Sequence, residues 1–321
     1  MLSYLQFFIT VAAILSIATL GLNLQWGVSG QFNAGVVGFI AVGGYALAIL
    51  TMPVTEHLLV KLNLPFAVGL LGSLVVCALV ASLVGVATLR LRSDYLAIAT
   101  FGIASSIQLL ANNLEPLTGG SRGLVGIPRP FEALGQREFA LSYLGMVLAL
   151  LALVVAGLQA LLHSPWGRVL RALREDEVAC AALGKNIVRF RLTAFVLGAM
   201  LMGLSGALYA GFVGTTSPSE FLPIMTFQIW AMLIVGGSGS NYGAVLGSFI
   251  VWGLWTFSGV VIVSILPPQY QTQGGAAQAI LVGVLLVATL LLRPSGILGA
   301  RRRPERNRNF IEKRISQWGS T

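Results

Sequence analysis

The chain has 321 residues, of which 56% are hydrophobic and only 10% charged, and its mean hydropathy is +0.85. A soluble domain carries about 25% charged residues, so this composition excludes an ordinary globular protein. The net charge of +9 comes from Lys and Arg residues grouped beside apolar runs, which argues for membrane insertion and against nucleic-acid binding.

Nine apolar runs are candidate membrane spans, because a span needs about 20 mostly apolar residues to cross about 30 Å of hydrocarbon. Inside lipid the backbone must satisfy its own hydrogen bonds, which selects helices. The runs lie at about 5–24, 33–52, 65–89, 95–113, 140–162, 192–213, 221–237, 243–264 and 276–292. The sequence therefore predicts an all-α fold, a polytopic transmembrane helical bundle of roughly 8 to 10 spans.

Two glycine-rich stretches interrupt this series. GVSGQFNAGVVG begins at Gly27 and GGSGSNYGAVLG begins at Gly236, and each places a Gly-x-Ser-Gly turn before a run of small residues. Many transporters have interrupted helices beside the substrate path, at corresponding positions of two repeats. We therefore expect both stretches to be broken-helix or pore-lining segments. If every run crosses once, the N-terminus is outside; if the stretch at 26–51 is broken or re-entrant, it is inside.

The basic residues follow the positive-inside pattern of membrane proteins. Most of them fall in three segments, namely Arg90 with Arg92, 168–191 and 293–314. The pattern places these segments and the C-terminus in the cytoplasm, and the loop at 114–139 outside. We expect a transmembrane domain at 1–298 and a basic cytoplasmic tail at 299–321, which anchors the chain and has anionic membrane lipid as a further partner.

The charged loop at 164–191 is predicted to form a cytoplasmic helix. Ser164 suits the N-cap, Pro165 the first turn, and Gly184 the C′ position after the last turn. One face of this helix is predicted to carry Val169, Leu170, Leu173, Val178 and Ala181. Arg171 and Glu175 are spaced to form an i, i+4 ion pair on the other face.

Two interpretations of this helix are open. The first is a solvated amphipathic connector or an interfacial helix held by anionic lipid. The second is an element that docks into a groove on another protein. A lipid-bound helix is usually strongly basic, whereas three consecutive acids, Glu175 to Glu177, stand among the arginines here. The mixed charge favours docking on a protein.

Several segments, in order along the chain, together resemble the LivM-type permease subunits of branched-chain amino-acid ABC importers. They are GLNLQWGVSGQFNAGVVGFIAVGGYALAIL, LTGGSRGLVGIPRP, REDEVACAALGKNIVRFRLTAFVLGAMLMGLSGALYAGFVGTTSPSEF, LIVGGSGSNYGAVLG and RPSGIL. The resemblance implies a multi-pass subunit of the bacterial inner membrane. It also implies three kinds of protein partner: a second, LivH-type permease, two cytoplasmic ABC ATPase subunits, and an external soluble binding protein.

The resemblance further implies that the charged loop contains the coupling helix of such importers, which inserts into a cleft of the ATPase. Only Glu177, Ala179 and Gly184 stand near the acidic-alanine-glycine signature of that helix, so the loop departs from the usual pattern. The predicted ATPase-coupling residues are Arg171, Arg174, Glu175, Asp176, Glu177, Ala179 and Gly184.

Polar residues beside the two glycine-rich stretches are the predicted liners of the substrate pathway. An amino acid is zwitterionic with an apolar side chain, so its path needs hydrogen-bonding groups and small or apolar walls rather than full charges. The candidates are Asn23, Gln25, Gln31, Asn33, Gln228, Ser238, Ser240 and Asn241. For any one of them, a hydrogen bond between helices is the ordinary alternative.

The sequence has no G-x-x-x-x-G-K-[ST] phosphate loop, and it has no spacing typical of a metal site or a catalytic group. We therefore expect a transport subunit without an ATPase site of its own, not an enzyme, and no cofactor. Two alternatives are a permease of a urea or short-chain amide ABC importer, and a secondary transporter acting alone. An ion-driven transporter is expected to have ionisable residues in mid-span, and the charge-free runs contain none.

Overall fold

A computed structural model describes residues 2–53, 62–91, 93–132, 135–265, 274–293 and 295–299. Apart from Gly299, the predicted basic tail lies outside the described residues. The described chain is almost entirely helical, which confirms the predicted all-α bundle. Its α-helices are Leu2–Leu22 (α1), Val36–Thr51 (α2), Phe66–Thr88 (α3), Ser93–Asn113 (α4), Glu115–Thr118 (α5), Gln136–His163 (α6), Pro165–Glu175 (α7), Glu177–Ala182 (α8), Ile187–Val213 (α9), Pro223–Gly236 (α10), Asn241–Ile265 (α11) and Gly274–Leu292 (α12).

Each of the nine predicted spans corresponds to one of these helices. Seven of the helices are long enough and apolar enough to cross a membrane. The other two, α2 and α10, have only 16 and 14 residues. At 1.5 Å per residue they rise about 24 and 21 Å, less than the hydrocarbon thickness. Helix α2 begins within the first glycine-rich stretch, and α10 ends where the second begins.

Helix α9 lies at the centre of the bundle and packs against α1, α2 and α3. Glycine allows the close approach of α2 to α9. A Cβ atom at Gly206 would lie 1.9 Å from the carbonyl oxygen of Ile40, and one at Gly43 would lie 2.0 Å from that of Gly203. Small residues at helix interfaces are the usual means of such packing in lipid.

The contacts along α9 define two faces of the bundle. Helix α1 is antiparallel to α9, because Phe7 packs against Phe212 at 5.6 Å between ring centroids, whereas Gln25 bonds to Phe195. Helix α2 is parallel to α9, since it begins near Phe195 and its Gly44 lies beside Thr216. We call the side that carries α7 and the start of α9 the α7 face, and the opposite side the far face.

The far face carries a small pair of antiparallel strands, Leu124–Val125 (β1) and Thr215–Thr216 (β2). Helix α1 begins on this face. The last described residues return to the α7 face, where Ile297 and Leu298 donate backbone hydrogen bonds to the carbonyls of Val235 and Gly236. Helix α1 therefore runs from the far face to the α7 face, and α2 runs back to the far face; which of the two faces is cytoplasmic stays a prediction.

Candidate functional site

The first glycine-rich stretch breaks the helical backbone at the α7 face. Helix α1 widens into a π-helix over Asn23–Val28, and the chain is then irregular until α2 begins at Val36. Gly30 has a φ of 75°, a left-handed conformation that glycine adopts without a Cβ clash. π-Helical turns inside longer helices are frequent at functional sites.

The second glycine-rich stretch makes a turn between α10 and α11 and lies directly against the first. The Asn23 Nδ2 atom donates to Asn241 Oδ1 at 2.9 Å, and Asn23 Oδ1 accepts from the backbone N–H of Gly239 at 2.8 Å. Ser240 Oγ accepts from the backbone N–H of Gly243 in the first turn of α11. Two segments more than 200 residues apart in sequence therefore form one polar junction.

Further amide hydrogen bonds lie on either side of this junction. The Asn33 side chain donates to Gln25 Oε1 at 2.8 Å, and Gln25 Nε2 donates to the Phe195 carbonyl of α9 at 2.7 Å. On the other side, Asn241 Nδ2 donates to Gln159 Oε1 of α6 at 3.0 Å. These bonds cross between helices where water is scarce, and they hold the broken segments in place.

Side chains from two other helices, α4 and α10, satisfy the backbone where α2 begins. The Thr100 hydroxyl accepts from the N–H of Ala34, and the Thr226 hydroxyl accepts from the N–H of Val37. Trp230 Nε1 donates to the carbonyl of Asn33 at 3.0 Å. Non-helical backbone at membrane depth requires such partners. The sequence analysis did not identify these residues or Gln159, although a glutamine inside a charge-free apolar run was an available signal.

Among the predicted pathway residues, five side chains are buried inside this chain, and the other three are partly buried. Asn23, Gln25, Gln31, Asn33 and Asn241 are at most 4% exposed, and all of them bond within the polar junction or beside it. Gln228, Ser238 and Ser240 are partly buried. Contact between these residues and a substrate stays a prediction. Within this chain, the five buried side chains make the inter-helix bonds that the sequence analysis gave as the alternative.

The predicted cytoplasmic helix is two helices rather than one. Asp176 has extended backbone torsions and ends α7, and its carboxylate caps α8 by accepting from the N–H of Ala179 at 2.9 Å. Ser164 occupies the predicted N-cap position, but its hydroxyl donates back to Leu161. Gly184 ends the segment with a φ of 72°, in agreement with its predicted C′ role.

The break at Asp176 corrects two details of the sequence analysis. The predicted apolar face is continuous only along α7, where Leu170 and Leu173 are buried. In α8, which restarts with a different helical phase, Val178 is 79% exposed. The predicted ion pair of Arg171 with Glu175 is absent, because the Arg171 guanidinium instead donates to the carbonyls of Leu162 and Gly167.

Helix α7 contacts the first break directly. The guanidinium of Arg174 donates a hydrogen bond to the carbonyl of Gly27, and a Cβ atom at Gly30 would lie 3.2 Å from Arg174 Cγ. The other predicted coupling residues are solvent-exposed, namely Arg171, Glu175, Asp176, Glu177, Ala179 and Gly184. The charged loop thus combines an exposed surface with a contact to the polar junction.

The far face carries Glu220, the single charged residue between positions 192 and 292. It lies in the turn between β2 and α10. Burial raises the pKa of its carboxyl above the ordinary value, and hydrogen bonds from Ser217 oppose this shift. Its charge also acts on the phenol groups of Tyr45 and Tyr209. Glu220 was not among the predicted site residues.

Comparisons with known proteins give matches along almost the whole chain. The family model described as the permease component of the branched-chain amino acid transport system matches residues 4–290. The high-affinity branched-chain amino acid transport permease LivM of Escherichia coli K12 is 31% identical over 316 residues, which cover 90% of this chain and 68% of LivM. A probable LivM of Methanocaldococcus jannaschii is 27% identical, over a match that covers 88% of this chain and 89% of the length of that protein.

A second type of permease in the same transport system is also similar. LivH of Salmonella typhimurium is 27% identical over 316 residues, covering 92% of this chain and 94% of LivH. No solved structure matches the chain. The family match spans all but the ends of the sequence. This chain is therefore a member of the family of branched-chain amino acid transport permeases.

Proposed function

We propose that this chain is a permease subunit of an ATP-driven importer of branched-chain or related amino acids. The observation that carries the proposal is the match of residues 4–290 to a permease family whose similar members are named for that transport. The composition and the apolar helices support a multi-pass membrane protein, and the grouped basic residues support an inner membrane location with the α7 face and the C-terminus in the cytoplasm.

The proposed assembly contains this chain, a LivH-type permease, two cytoplasmic ATPase subunits and a soluble binding protein. Two features support dependence on separate ATPases. The sequence has no phosphate-binding loop of its own. The α7 face also presents exposed apolar side chains beside acidic ones, since Val178 and Leu183 are 79% and 77% exposed. Exposed apolar groups of this kind on a cytoplasmic loop are typical of a protein docking surface.

The coupling route that we propose runs from α8 through α7 to the first break. An ATPase docked on α8 would act on α7, and α7 bonds through Arg174 to the carbonyl of Gly27. Because the two breaks share hydrogen bonds through Asn23, a shift of one break is transmitted to the other. The pathway residues predicted from the sequence lie around this junction, and we retain them as candidate contacts of the substrate.

The transport activity is tested by uptake into proteoliposomes that contain the complete assembly, with labelled leucine compared with labelled urea. We expect ATP-dependent uptake of leucine and none of urea. Uptake of urea alone would indicate the amide importer instead. Uptake of amino acids by the isolated chain along an ion gradient would indicate a secondary transporter, and would overturn the proposal.

The docking surface is tested separately by co-purification of the ATPase with the permease. The double variant Val178→Asp with Leu183→Asp should lose most of the bound ATPase, because two buried carboxylates without partners oppose the interface. The control is Val125→Asp, which makes the same type of change at another exposed apolar site, 66% exposed, on the far face. Equal amounts of ATPase on the double variant and the control would refute the docking role of α8.

A further inference from the structure

A cleft of about 360 Å³ lies on the α7 face, apart from the buried polar junction. Its volume is within the ordinary range for small-molecule sites, about 300–1,000 Å³. Its walls come from four places in the sequence: the first break, the turn after α3, the start of α4, and the α8–α9 segment. The cleft therefore exists only when the charged loop is packed against the transmembrane helices.

One wall of the cleft offers a hydrogen-bond acceptor. Gln31 is 3% exposed, and its Nε2 donates to the Arg191 carbonyl at 2.9 Å and to Ser29 Oγ at 2.6 Å. A carbonyl only accepts, so these bonds fix the orientation of the amide. The Gln31 Oε1 atom is buried and has no partner among the described residues. The Glu177 carboxylate, 44% exposed, adds a negative charge beside it.

The same cleft offers hydrogen-bond donors. Arg191 pairs with Glu177 through NH2 at 2.9 Å, while its Nε atom is buried and lacks a partner within the described part of the chain. The exposed Arg90 adds a second guanidinium to the lining. Buried donors and acceptors are almost always paired in folded proteins, so one unpaired acceptor and one unpaired donor on two residues that line the same cleft point to a ligand with both functions.

The rest of the lining is aliphatic. Leu89, Leu91 and Leu96 come from the end of α3 and the start of α4 and contribute apolar surface to the cleft. A simple carboxylic acid would leave the acceptor side unpaired, and a simple amine would leave Arg191 Nε and Arg90 without an anionic partner. An amino acid with a branched aliphatic side chain matches the acceptors, the donors and the leucines together.

We propose that this cleft binds a zwitterionic aliphatic amino acid on the α7 face. The ammonium group is held by Gln31 Oε1 and Glu177, the carboxylate by Arg191 and Arg90, and the side chain by the three leucines. This inference rests on the proposed function, because it assigns a site on the release side of the importer to the class of molecule that it carries. Glu177 also belongs to the docking loop, so the bound amino acid and the docked ATPase would both contact this residue.

The test is equilibrium binding of labelled leucine to the permease–ATPase complex in nanodiscs, without the soluble binding protein. We expect saturable binding that weakens at least tenfold in Arg90→Gln and in Leu91→Gln. Both side chains are exposed, so neither change disturbs the fold. Arg189→Gln is the matched control, since Arg189 is an exposed arginine of the same face outside the cleft lining, and its affinity should equal that of the wild type.

Competition with analogues tests the chemistry of recognition. Leucinol lacks the carboxylate and 4-methylpentanoate lacks the ammonium group, and each should compete at least tenfold more weakly than leucine, because the cleft groups that it leaves unpaired lose their partners. Equal competition by either analogue would overturn the zwitterion assignment.

The outcomes separate this inference from the proposed function. Absence of saturable leucine binding, or binding that is unchanged in both cleft variants, would overturn the cleft while leaving the importer intact if the complete assembly still takes up leucine. Failure of the complete wild-type assembly to take up leucine would instead overturn the proposed function.

Discussion

The hydrogen bonds that join the two breaks give the most direct test of the fold. Asn23→Ala removes the bond to Asn241 Oδ1 at 2.9 Å and the bond from Gly239 N at 2.8 Å. Asn23 and Asn241 are 0% and 4% exposed, so water does not replace the lost partners. A buried polar group left unpaired costs about 1–3 kcal/mol. Hydrogen bonds between membrane helices average about 0.6 kcal/mol. For two bonds we expect a loss of about 1–4 kcal/mol in the free energy of unfolding.

The assay is denaturation of the purified chain in detergent, as a double-mutant cycle of Asn23→Ala with Asn241→Ala. The coupling energy should be about 0.6–1.7 kcal/mol. Asn113→Ala is the control, because Asn113 is exposed and bonds only to Leu109 within its own helix, so its loss should stay below about 0.5 kcal/mol. The claim that Asn23 and Asn241 join the two breaks would be refuted if the stability losses of the two single variants simply added in the double variant. It would also be refuted if Asn23→Ala and Asn113→Ala were equally stable.

Three further predictions concern other parts of the molecule. Gly206→Ala should prevent normal packing of α9 against α2, because its Cβ atom would lie 1.9 Å from the Ile40 carbonyl oxygen. The size-exclusion profile of this variant should differ from that of the wild type. The profile of Gly157→Ala should not, because the space around Gly157 is open. Glu220→Gln should raise the melting temperature at pH 7.5 and not at pH 4: a raised folded pKa gives stability that is complete at low pH and is lost as the pH rises through that pKa. Arg174→Gln should lower leucine uptake per ATP hydrolysed while the ATPase remains bound, since it removes the link to the first break.

Much of the architecture follows from the sequence because its causes are local. Length, apolarity and the absence of charge predict each span, and helix is the backbone conformation that lipid permits. The glycines and serines of the two interrupted stretches likewise predict where helices end. The structure agrees with these expectations to within a few residues in most spans, and it shows α2 beginning within the first interrupted stretch and α10 ending where the second begins.

Patterns over a short window were less reliable where one polar side chain changed the local preference. The loop after α6 has caps, charges and apolar spacing that suit one helix, yet Asp176 ends α7 and caps α8. Asp competes for backbone hydrogen bonds in this way because its short carboxylate reaches the N–H groups just ahead of it. The apolar face that was predicted along a single helix is therefore interrupted after Leu173.

The sequence by itself determined that this chain is a helical membrane protein with two breaks and a charged loop, because hydrophobicity, glycine and charge act over a few neighbouring residues. Only the tertiary structure decided which polar groups meet. Asn23 forms a hydrogen bond with Asn241, Arg174 with the carbonyl of Gly27, and Gln31 with the carbonyl of Arg191 beside the cleft. Each of these pairs spans more than 140 residues of sequence, and their contact depends on the packing of whole helices around α9, which no local pattern encodes.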